Sequence, residues 1–262
     1  MTTLVERDRP VGDLLRQWRE RRRMSQLELA GRAEVSARHV SFLETGRSRP
    51  TRAMLLRLSD QLDIPLRERN SLLLAAGFAP AYPEHALGDV PMAAVARAIG
   101  QILTALLPSP AVVVDRHWHL VDGNAAVALL TDGCAAELLE PPVNVLRLSL
   151  HPEGMAPRIV NLGQWRAHLL HRLGHQIAAT GDPVLGDLTA ELAAYPCADA
   201  VDTDPGELVV PIRIRTDAGE LAFLSTTTVF GTPLDVTVAE LAIETFHAAD
   251  AGTAEVLRRF GD

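Results

Sequence analysis

The sequence predicts an all-α N-terminal domain followed by an α+β domain with an antiparallel sheet. Apolar residues recur at helical spacing up to about residue 77, where Gly77-Phe78-Ala79-Pro80 and then Tyr82-Pro83 interrupt the pattern. Beyond this break, strand-like runs occur between helical ones. We therefore predict an N-terminal tail (1–10), a five-helix domain (11–80), a linker (81–90) and a second domain (91–262).

Two short helices joined by a tight turn are predicted between residues 24 and 50. Ser25 can cap the first helix while Glu28, three residues later, reaches back to the same helix start in a capping box. Ser36 is the next N-cap candidate, and Gly46 supplies the left-handed residue that ends the second helix. The segment is therefore expected to form a helix-turn-helix.

Helical spacing gives this helix pair a buried side and an exposed side. Val40 and Leu43 repeat at three-residue spacing and are expected to face the core, together with Leu27, Leu29, Ala30 and Val35. The exposed side of the second helix is predicted to read DNA, and arginines follow the closing glycine where a phosphate backbone would run. This surface comprises Ala37, Arg38, His39, Ser41, Phe42, Arg47 and Arg49.

Two further helices are predicted to complete the first domain, after a first helix near residue 11. One runs from Thr51 to about Leu62, with Met54, Leu55 and Leu58 on one face. The other covers residues 66–76, after the break at 63–65. Together the five helices would form a compact helical module.

The second domain is predicted to begin with a helix over residues 91–107. A buried strand (111–115), a turn (116–118), a second strand (119–123) and a helix capped by Asn124 follow, which is how a PAS domain begins. Helix is expected over about 156–194.

A long antiparallel hairpin is predicted towards the C-terminus. Its first strand runs from Glu207 to Arg215 and includes Leu208, its turn is Asp217-Ala218-Gly219, and its second strand covers residues 220–230. Arg213 and Arg215 would lie on the face opposite Ile212 and Ile214. Residues 240–248 could add a strand or an amphipathic segment.

Charge divides the chain at the same place. Residues 1–80 hold 15 arginines against 10 Asp and Glu, whereas residues 81–262 hold 10 against 23. A basic module ahead of an acidic one places the phosphate-seeking surface in the first domain.

The chain has neither a long apolar run nor a signal-peptide pattern, so we expect a soluble, cytoplasmic protein without membrane contact. Cys134 and Cys197 suggest neither a disulfide framework nor a zinc ribbon.

Residues 11 to 77 resemble the XRE-type helix-turn-helix family. The resemblance implies a phosphate contact from Gln26 and base contacts from the start of the second helix. Ala37 and Phe42 depart from polar readers and could make only apolar contacts, for instance with a thymine methyl. Arg38 would then carry bidentate recognition, preferably of guanine, and His39 would add at most one hydrogen bond. The implied additional phosphate partners are Ser36 and Arg47.

The second domain is similar to the ligand-binding domain of MmyB-like transcription regulators. The similarity rests on H-P-E-G (151–154), R-I-V-N (158–161), G-E-L-A-F-L-S-T (219–226) and the segment 230–246. It implies a PAS-like sensor that binds a small, largely apolar, fatty-acid-like molecule and controls a homodimer on a double-stranded DNA operator. Activation through contact with RNA polymerase is an equally open route. None of these patterns indicates whether the protein activates or represses transcription.

Four residues are candidates for the ligand pocket. Trp165 and Phe223 are expected to face inward, where plain core packing is the alternative interpretation. Trp118, in the predicted turn, joins them. Arg213, or Arg215 in its place, could pair with a ligand carboxylate, although an arginine on the outer face of a sheet is usually only solvated.

Histidines raise the alternative of an enzyme or a metal site. His168, His171 and His175 fall opposite the apolar arc of a predicted helix, where a solvated or dimer-facing stripe is the simpler interpretation. His117 and His119 would share one side of a strand, inside a cavity or at an edge turn. No nucleotide-binding or hydrolase motif occurs, so we predict no catalytic residue, cofactor or metal. The alternatives kept open are a DNA-tethered enzyme acting on a small metabolite and a repressor whose second domain only dimerises.

Overall fold

The computed structural model describes residues 10–197 and 209–261. Residues 1–9 of the predicted tail, and Glu207 and Leu208 of the predicted hairpin, lie outside the described residues. The chain divides into two compact units. The first contains the residues through His85 together with Ala178–Thr180 and Thr232–Ala239, and the second contains the remainder.

The first unit contains the five expected helices. The predicted caps form as expected: the Ser25 hydroxyl accepts from the backbone N–H of Glu28 (3.1 Å), and the Glu28 carboxylate accepts from the N–H of Ser25 (2.7 Å). Ser36 and Thr51 cap the third and fourth helices in the same manner. The helices are α1 (Val11–Arg21), α2 (Gln26–Arg32), α3 (Ala37–Glu44), α4 (Arg52–Gln61) and α5 (Leu66–Ala75).

The core of the first unit confirms most of the predicted buried side. Leu29, Val40 and Leu43 are all buried within one hydrophobic cluster. Leu27 is the exception, since 73% of it is exposed. Two residues span about 200° around an α-helix, so Leu27 points away from the face that buries Leu29. The prediction that Leu27 packs inward was therefore wrong.

Gly12 allows α1 to approach the end of α3. A Cβ atom at this position would lie 2.5 Å from the carbonyl oxygen of Leu43 and 2.6 Å from that of Glu44. Both neighbours are backbone atoms, which cannot move without displacing the helix. The absence of a side chain at Gly12 thus sets the distance between the first helix and the helix predicted to read DNA.

The second unit is built on a five-stranded sheet in the order β2-β1-β5-β4-β3, with every adjacent pair antiparallel. The predicted hairpin is present, with its first strand starting at Ile212. The segment near residues 240–248 forms the central strand. The strands are β1 (Ala111–Val114), β2 (Leu120–Gly123), β3 (Ile212–Thr216), β4 (Gly219–Val229) and β5 (Ala242–Ala248).

Two local predictions for the helices need correction. The helix expected over 156–194 is interrupted at Gly181, which adopts a left-handed conformation (φ +69°). Asn124 does not cap a helix with its side chain; it accepts from the N–H of Ala111 (3.1 Å) and donates to the carbonyl of Ser109 (2.9 Å). The helices are α6 (Ala93–Ala105), α7 (Ala128–Thr131), α8 (Val145–Leu150), α9 (Leu162–Thr180), α10 (Pro183–Ala194), α11 (Val236–Glu240) and α12 (Ala251–Gly261).

Alternation along the strands gives the sheet two buried faces. On one face, Val113 and Ile243 form a small cluster with Ile99 and Leu103 of α6. The other face, called the inner face below, belongs to the main core of the unit. Its strand residues include Val112, Val114, Ile212, Ile214, Leu221 and Phe223, and its helical residues include Trp165, Leu169 and Leu173 of α9.

Candidate functional site

Two arginines lie close to one aromatic ring on the exposed side of α3. The guanidinium carbon of Arg38 lies 5.1 Å from the ring centre of Phe42, and that of Arg47 lies 5.9 Å from it. Both arginines are exposed, and Phe42 is half-buried. Cation–π attraction therefore restricts where the two guanidinium groups point. The sequence predicted these three residues on one surface but not that Phe42 would orient the other two.

The remaining residues that were predicted to contact DNA differ in how exposed they are. Arg49 is exposed, and Ser36 lies at the N-terminus of α3, where its hydroxyl accepts from the backbone N–H of His39 (3.1 Å). His39 is half-buried. Ala37 is also half-buried and packs against the core of the first unit. Its contact with the core leaves less of the methyl group for DNA than the sequence suggested.

A buried ion pair ties the end of α3 to α1. Arg19 donates from Nε to Glu44 Oε1 (2.6 Å) and from an Nη atom to Oε2 (2.9 Å), in a bidentate geometry. Only 2% of the Glu44 side chain is exposed. The hydrogen bond with Glu44 raises the pKa of Arg19 above its ordinary value. The pair crosslinks α1 and α3, and neither residue was singled out from the sequence.

Gln26 joins this network at the start of α2. Its amide Nε2 donates to Glu44 Oε2 over 2.8 Å. An amide carries two N–H donors. One is therefore directed at Glu44, and the second is the one that could reach a phosphate, as the resemblance implied.

The aromatic pocket candidates of the second unit lie together. Trp118, Trp165 and Phe223 are all buried and belong to the main core cluster around the inner face. The indole N–H of Trp118 donates to Gln176 (3.0 Å), and that of Trp165 donates to the Ser149 hydroxyl (3.0 Å). With both N–H groups satisfied, the rings present apolar surface to their surroundings.

Arg213 does not belong to this aromatic group. It lies on the exposed face of β3 and pairs with Glu220 on β4 at 2.6 Å, with 46% of its side chain exposed. Alternation along the strand turns it away from Ile212 and Ile214, which are buried. The predicted position of Arg213 on the face opposite Ile212 and Ile214 is therefore confirmed, and its pairing with a ligand carboxylate stays a prediction.

The inner face instead carries a different arginine. Arg172 of α9 donates to Glu244 of β5 (2.7 Å) and to the Thr227 hydroxyl of β4 (2.6 Å). Its guanidinium carbon also lies 4.4 Å from the ring centre of Trp118, and the Ser225 hydroxyl donates to Glu244. Sequence reasoning missed this group. The available signal was Glu244, a carboxylate that alternates with the apolar residues Ala242, Phe246 and Ala248 on one face of β5.

The three histidines of α9 do not act as one cluster. His171 and His175 are exposed, and their Nε2 atoms lie 3.0 Å apart. His168 is half-buried and stacks on Trp165 with the ring centres 5.3 Å apart, so its assignment to the outer face was wrong. Burial, followed by the charge of Arg172, lowers the pKa of His168 below its ordinary value. His168 is therefore part of the core rather than of an exposed stripe.

Comparison with protein families decides the assignment of both units. The model of the MmyB-like transcription regulator ligand binding domain matches residues 95–260, well over half of the chain. The chain belongs to this MmyB-like family. A helix-turn-helix model of the XRE type matches residues 15–69. A comparison with curated proteins finds no match.

This MmyB-like protein is a DNA-binding transcription regulator with a ligand-binding domain. The helix-turn-helix match covers α2 and α3 with their caps, and the second match covers the whole described sheet. In the part of the chain that the structure describes, no helix is both long and apolar enough to cross a membrane.

Proposed function

We propose that the regulator reads a double-stranded operator with α3 and senses a small apolar molecule with its second unit. The observation that carries the first half is the placement of the Arg38 and Arg47 guanidinium groups over the ring of Phe42. An arginine fixed by an aromatic ring reaches a base edge with less loss of side-chain entropy than a freely rotating one. Arg38 reads guanine in the major groove, and Phe42 contacts a thymine methyl with the part of its ring left open.

Phosphate contacts surround this reading surface. Arg47 and Arg49 follow α3, Ser36 lies at its start, and Gln26 lies at the start of α2. These residues fix the register of α3 on the duplex without carrying sequence information. Ala37 contributes less, because it packs against the core of the first unit, and His39 adds at most one hydrogen bond. The regulator acts in the cytoplasm, where its operator lies.

Arg38→Ala is the direct test of the base-reading assignment. It should remove roughly 1–3 kcal/mol of discrimination between an operator selected from random DNA and a scrambled duplex, while weak, salt-sensitive binding persists. Fluorescence anisotropy at two salt concentrations measures both quantities. Arg16→Ala, at an exposed position on α1, is the matched control and should leave discrimination unchanged. Equal discrimination by the wild type and Arg38→Ala would contradict the assignment.

The inner face supports the second half of the proposal. A fatty-acid-like chain bound beside α9 would contact Trp118, Trp165 and Phe223, all of which belong to one buried cluster. Arg172, paired with Glu244, offers a polar end to the same face. A ligand with an apolar chain and a polar head group would match the aromatic residues and the charged pair on this face.

Native mass spectrometry of the full-length protein tests ligand and oligomeric state together. We expect a homodimer that carries one organic adduct per chain, released on denaturation as a long-chain carboxylic acid or a molecule of similar polarity. A dimer would place two α3 helices on half-sites about 34 Å apart. A native mass equal to that of a single chain would contradict the expected homodimer. A bare protein that gains no adduct on incubation with myristic acid contradicts the ligand class.

The ligand can switch the regulator only through unequal affinity for two dimer arrangements. If it binds the DNA-competent dimer more tightly it strengthens operator binding, and in the opposite case it releases the operator. If the regulator activates transcription, the operator-bound dimer does so by contacting RNA polymerase. Operator affinity measured with and without the released adduct shows whether the ligand strengthens or weakens operator binding.

A further inference from the structure

Three metal-ligating side chains meet at the turn between β1 and β2 in the second unit. Asp115, His117 and His119 each offer one ligand atom, and these atoms all lie within 4.8 Å of one another. The sequence predicted no metal here, because the two histidines were interpreted without Asp115. Helical or strand periodicity does not show this cluster, since the turn bends the chain between the three residues.

We propose that Asp115, His117 and His119 bind a divalent metal ion of the zinc class. Two imidazoles and one carboxylate form a donor set that suits zinc and related divalent transition metals. The Nδ1 atom of His119 and Oδ2 of Asp115 are 3.1 Å apart. Two ligands of one tetrahedral ion, each at about 2.1 Å from it, are about 3.4 Å apart, which is close to this distance. The ligand atoms of all three residues lie within 4.8 Å of one another, so a small closure of the turn lets them share an ion.

The backbone prepares the carboxylate for this role. Oδ1 of Asp115 accepts from the N–H groups of His117 (2.8 Å) and His119 (2.9 Å), which fixes the carboxylate against the turn. Oδ2 is thereby directed towards His119. One oxygen holds the loop and the other serves as the ligand, so the loop does not have to reorganise when the ion binds.

Asp182 supplies the support that metal-bound histidines usually have. Its Oδ2 lies 2.8 Å from Nε2 of His117, and only 6% of its side chain is exposed. A metal-ligating histidine typically donates its other ring N–H to a carboxylate, which fixes the ring and makes the ligating nitrogen more basic. Nε2 of His117 is already engaged by Asp182 and by the Nε–H of Arg116, so Nδ1 is the His117 atom that binds the ion.

The local charge favours a cation despite a nearby arginine. Arg116 lies against the cluster, with its Nε 3.1 Å from Nε2 of His117. Its guanidinium is paired with Asp182 (2.7 Å) and Glu240 (3.2 Å). The carboxylates of Asp115, Asp182 and Glu240 therefore outnumber the single guanidinium, which leaves the site net negative before an ion binds.

A bound ion would act on the core through Trp118. This residue lies between the two histidine ligands, is buried, and has a positive φ of 68°, an unusual conformation for a large side chain. A metal that holds both neighbours would fix the turn and, with it, the indole under Arg172. Three protein ligands also leave a fourth tetrahedral position for water or an anionic group.

Metal binding by the full-length protein, stripped with a chelator and dialysed, tests the proposal. We expect one equivalent of Zn²⁺ per chain by competition with a chromophoric indicator, and a tetrahedral Co²⁺ spectrum on substitution. His119→Ala should abolish both signals. The double variant His171→Ala/His175→Ala removes the exposed histidine pair on α9 and should keep both signals. Absence of binding, or loss of binding only in the α9 variant, would overturn the proposal.

Two conservative variants separate a ligand role from a folding role. Asp115→Asn keeps an oxygen that can accept from the turn, and Asp182→Asn keeps the N-cap of α10 that accepts from the N–H of Val184. Both should retain the wild-type circular dichroism spectrum. We expect Asp182→Asn to weaken Zn²⁺ binding about 10- to 100-fold and Asp115→Asn to weaken it further. Wild-type affinity in Asp115→Asn would contradict the assignment of that carboxylate as a ligand.

Discussion

Replacing Glu44 with alanine is expected to destabilise the first unit by about 3–5 kcal/mol. The substitution leaves Arg19 buried at the junction of α1 and α3 with its bidentate partner removed. The remaining partners are the carbonyl oxygen of Met24 (2.8 Å), which cannot neutralise the charge, and the exposed carboxylate of Glu20 at 3.8 Å. A buried guanidinium that loses its bidentate carboxylate is among the most costly defects that a single substitution creates.

Hydrogen exchange resolved by peptide is the suitable measurement, because the chain has two units and need not unfold in one step. Protection of the α1 and α3 peptides should fall, while the peptides of the β-sheet stay protected. Arg16→Ala is the matched control, since it breaks the exposed pair between Arg16 and Glu20 on α1 without removing a partner of Arg19, and it should change little. A Glu44→Ala protein with wild-type protection in α1 and α3 would contradict the role given to the pair.

The same substitution should weaken operator binding without touching a DNA contact. Glu44 is the last residue of α3 and also accepts from Gln26 at the start of α2. Its loss loosens the end of the reading helix, so fewer molecules hold Arg38 and Arg47 in a binding-competent position. Glu44→Gln, which keeps the shape of the side chain and removes its charge, should fall between the wild type and Glu44→Ala.

The helix pair could be predicted from the sequence because its signals are local. Ser25 and Glu28 are three residues apart, as are Ser36 and His39, and such contacts form wherever that segment becomes helical. The Arg19–Glu44 pair spans 25 positions and depends on how α1 crosses α3. Nothing in local spacing indicates that crossing, so the ion pair that holds the end of α3 was missed, whereas the exposure of Arg38 and Arg47 was predicted.

The second unit shows the same division between local and distant information. The hairpin turn and the alternation around Ile212 and Ile214 gave the right strand faces, which also showed why Arg213 is exposed. Which strand lies next to β5 depends on long-range pairing and cannot be read from periodicity. Arg172 and Glu244 meet only because α9 lies on the inner face beside that strand. For this reason the polar part of the candidate ligand site was found only in the structure.

Arg172→Met is expected to destabilise the second unit by about 3 kcal/mol, near the lower end of the range for a buried pair because a quarter of the Arg172 side chain is exposed. Glu244 is almost fully buried and would keep the Ser225 hydroxyl as a hydrogen-bond donor, which does not neutralise its charge. Trp118 would also lose the guanidinium that lies over its ring. Hydrogen exchange of the β4 and β5 peptides measures the loss.

The double variant Arg172→Met/Glu244→Leu distinguishes a charge defect from a packing defect. It removes both charges together, so no unpaired ion remains, and apolar replacements of similar size often recover the stability of a buried pair. We expect most of the lost protection to return. If it returns while the organic adduct seen by native mass spectrometry is lost, the pair serves the ligand rather than the fold. A double variant as unstable as Arg172→Met would show instead that the methylenes and the cation–π contact of Arg172 carry the effect.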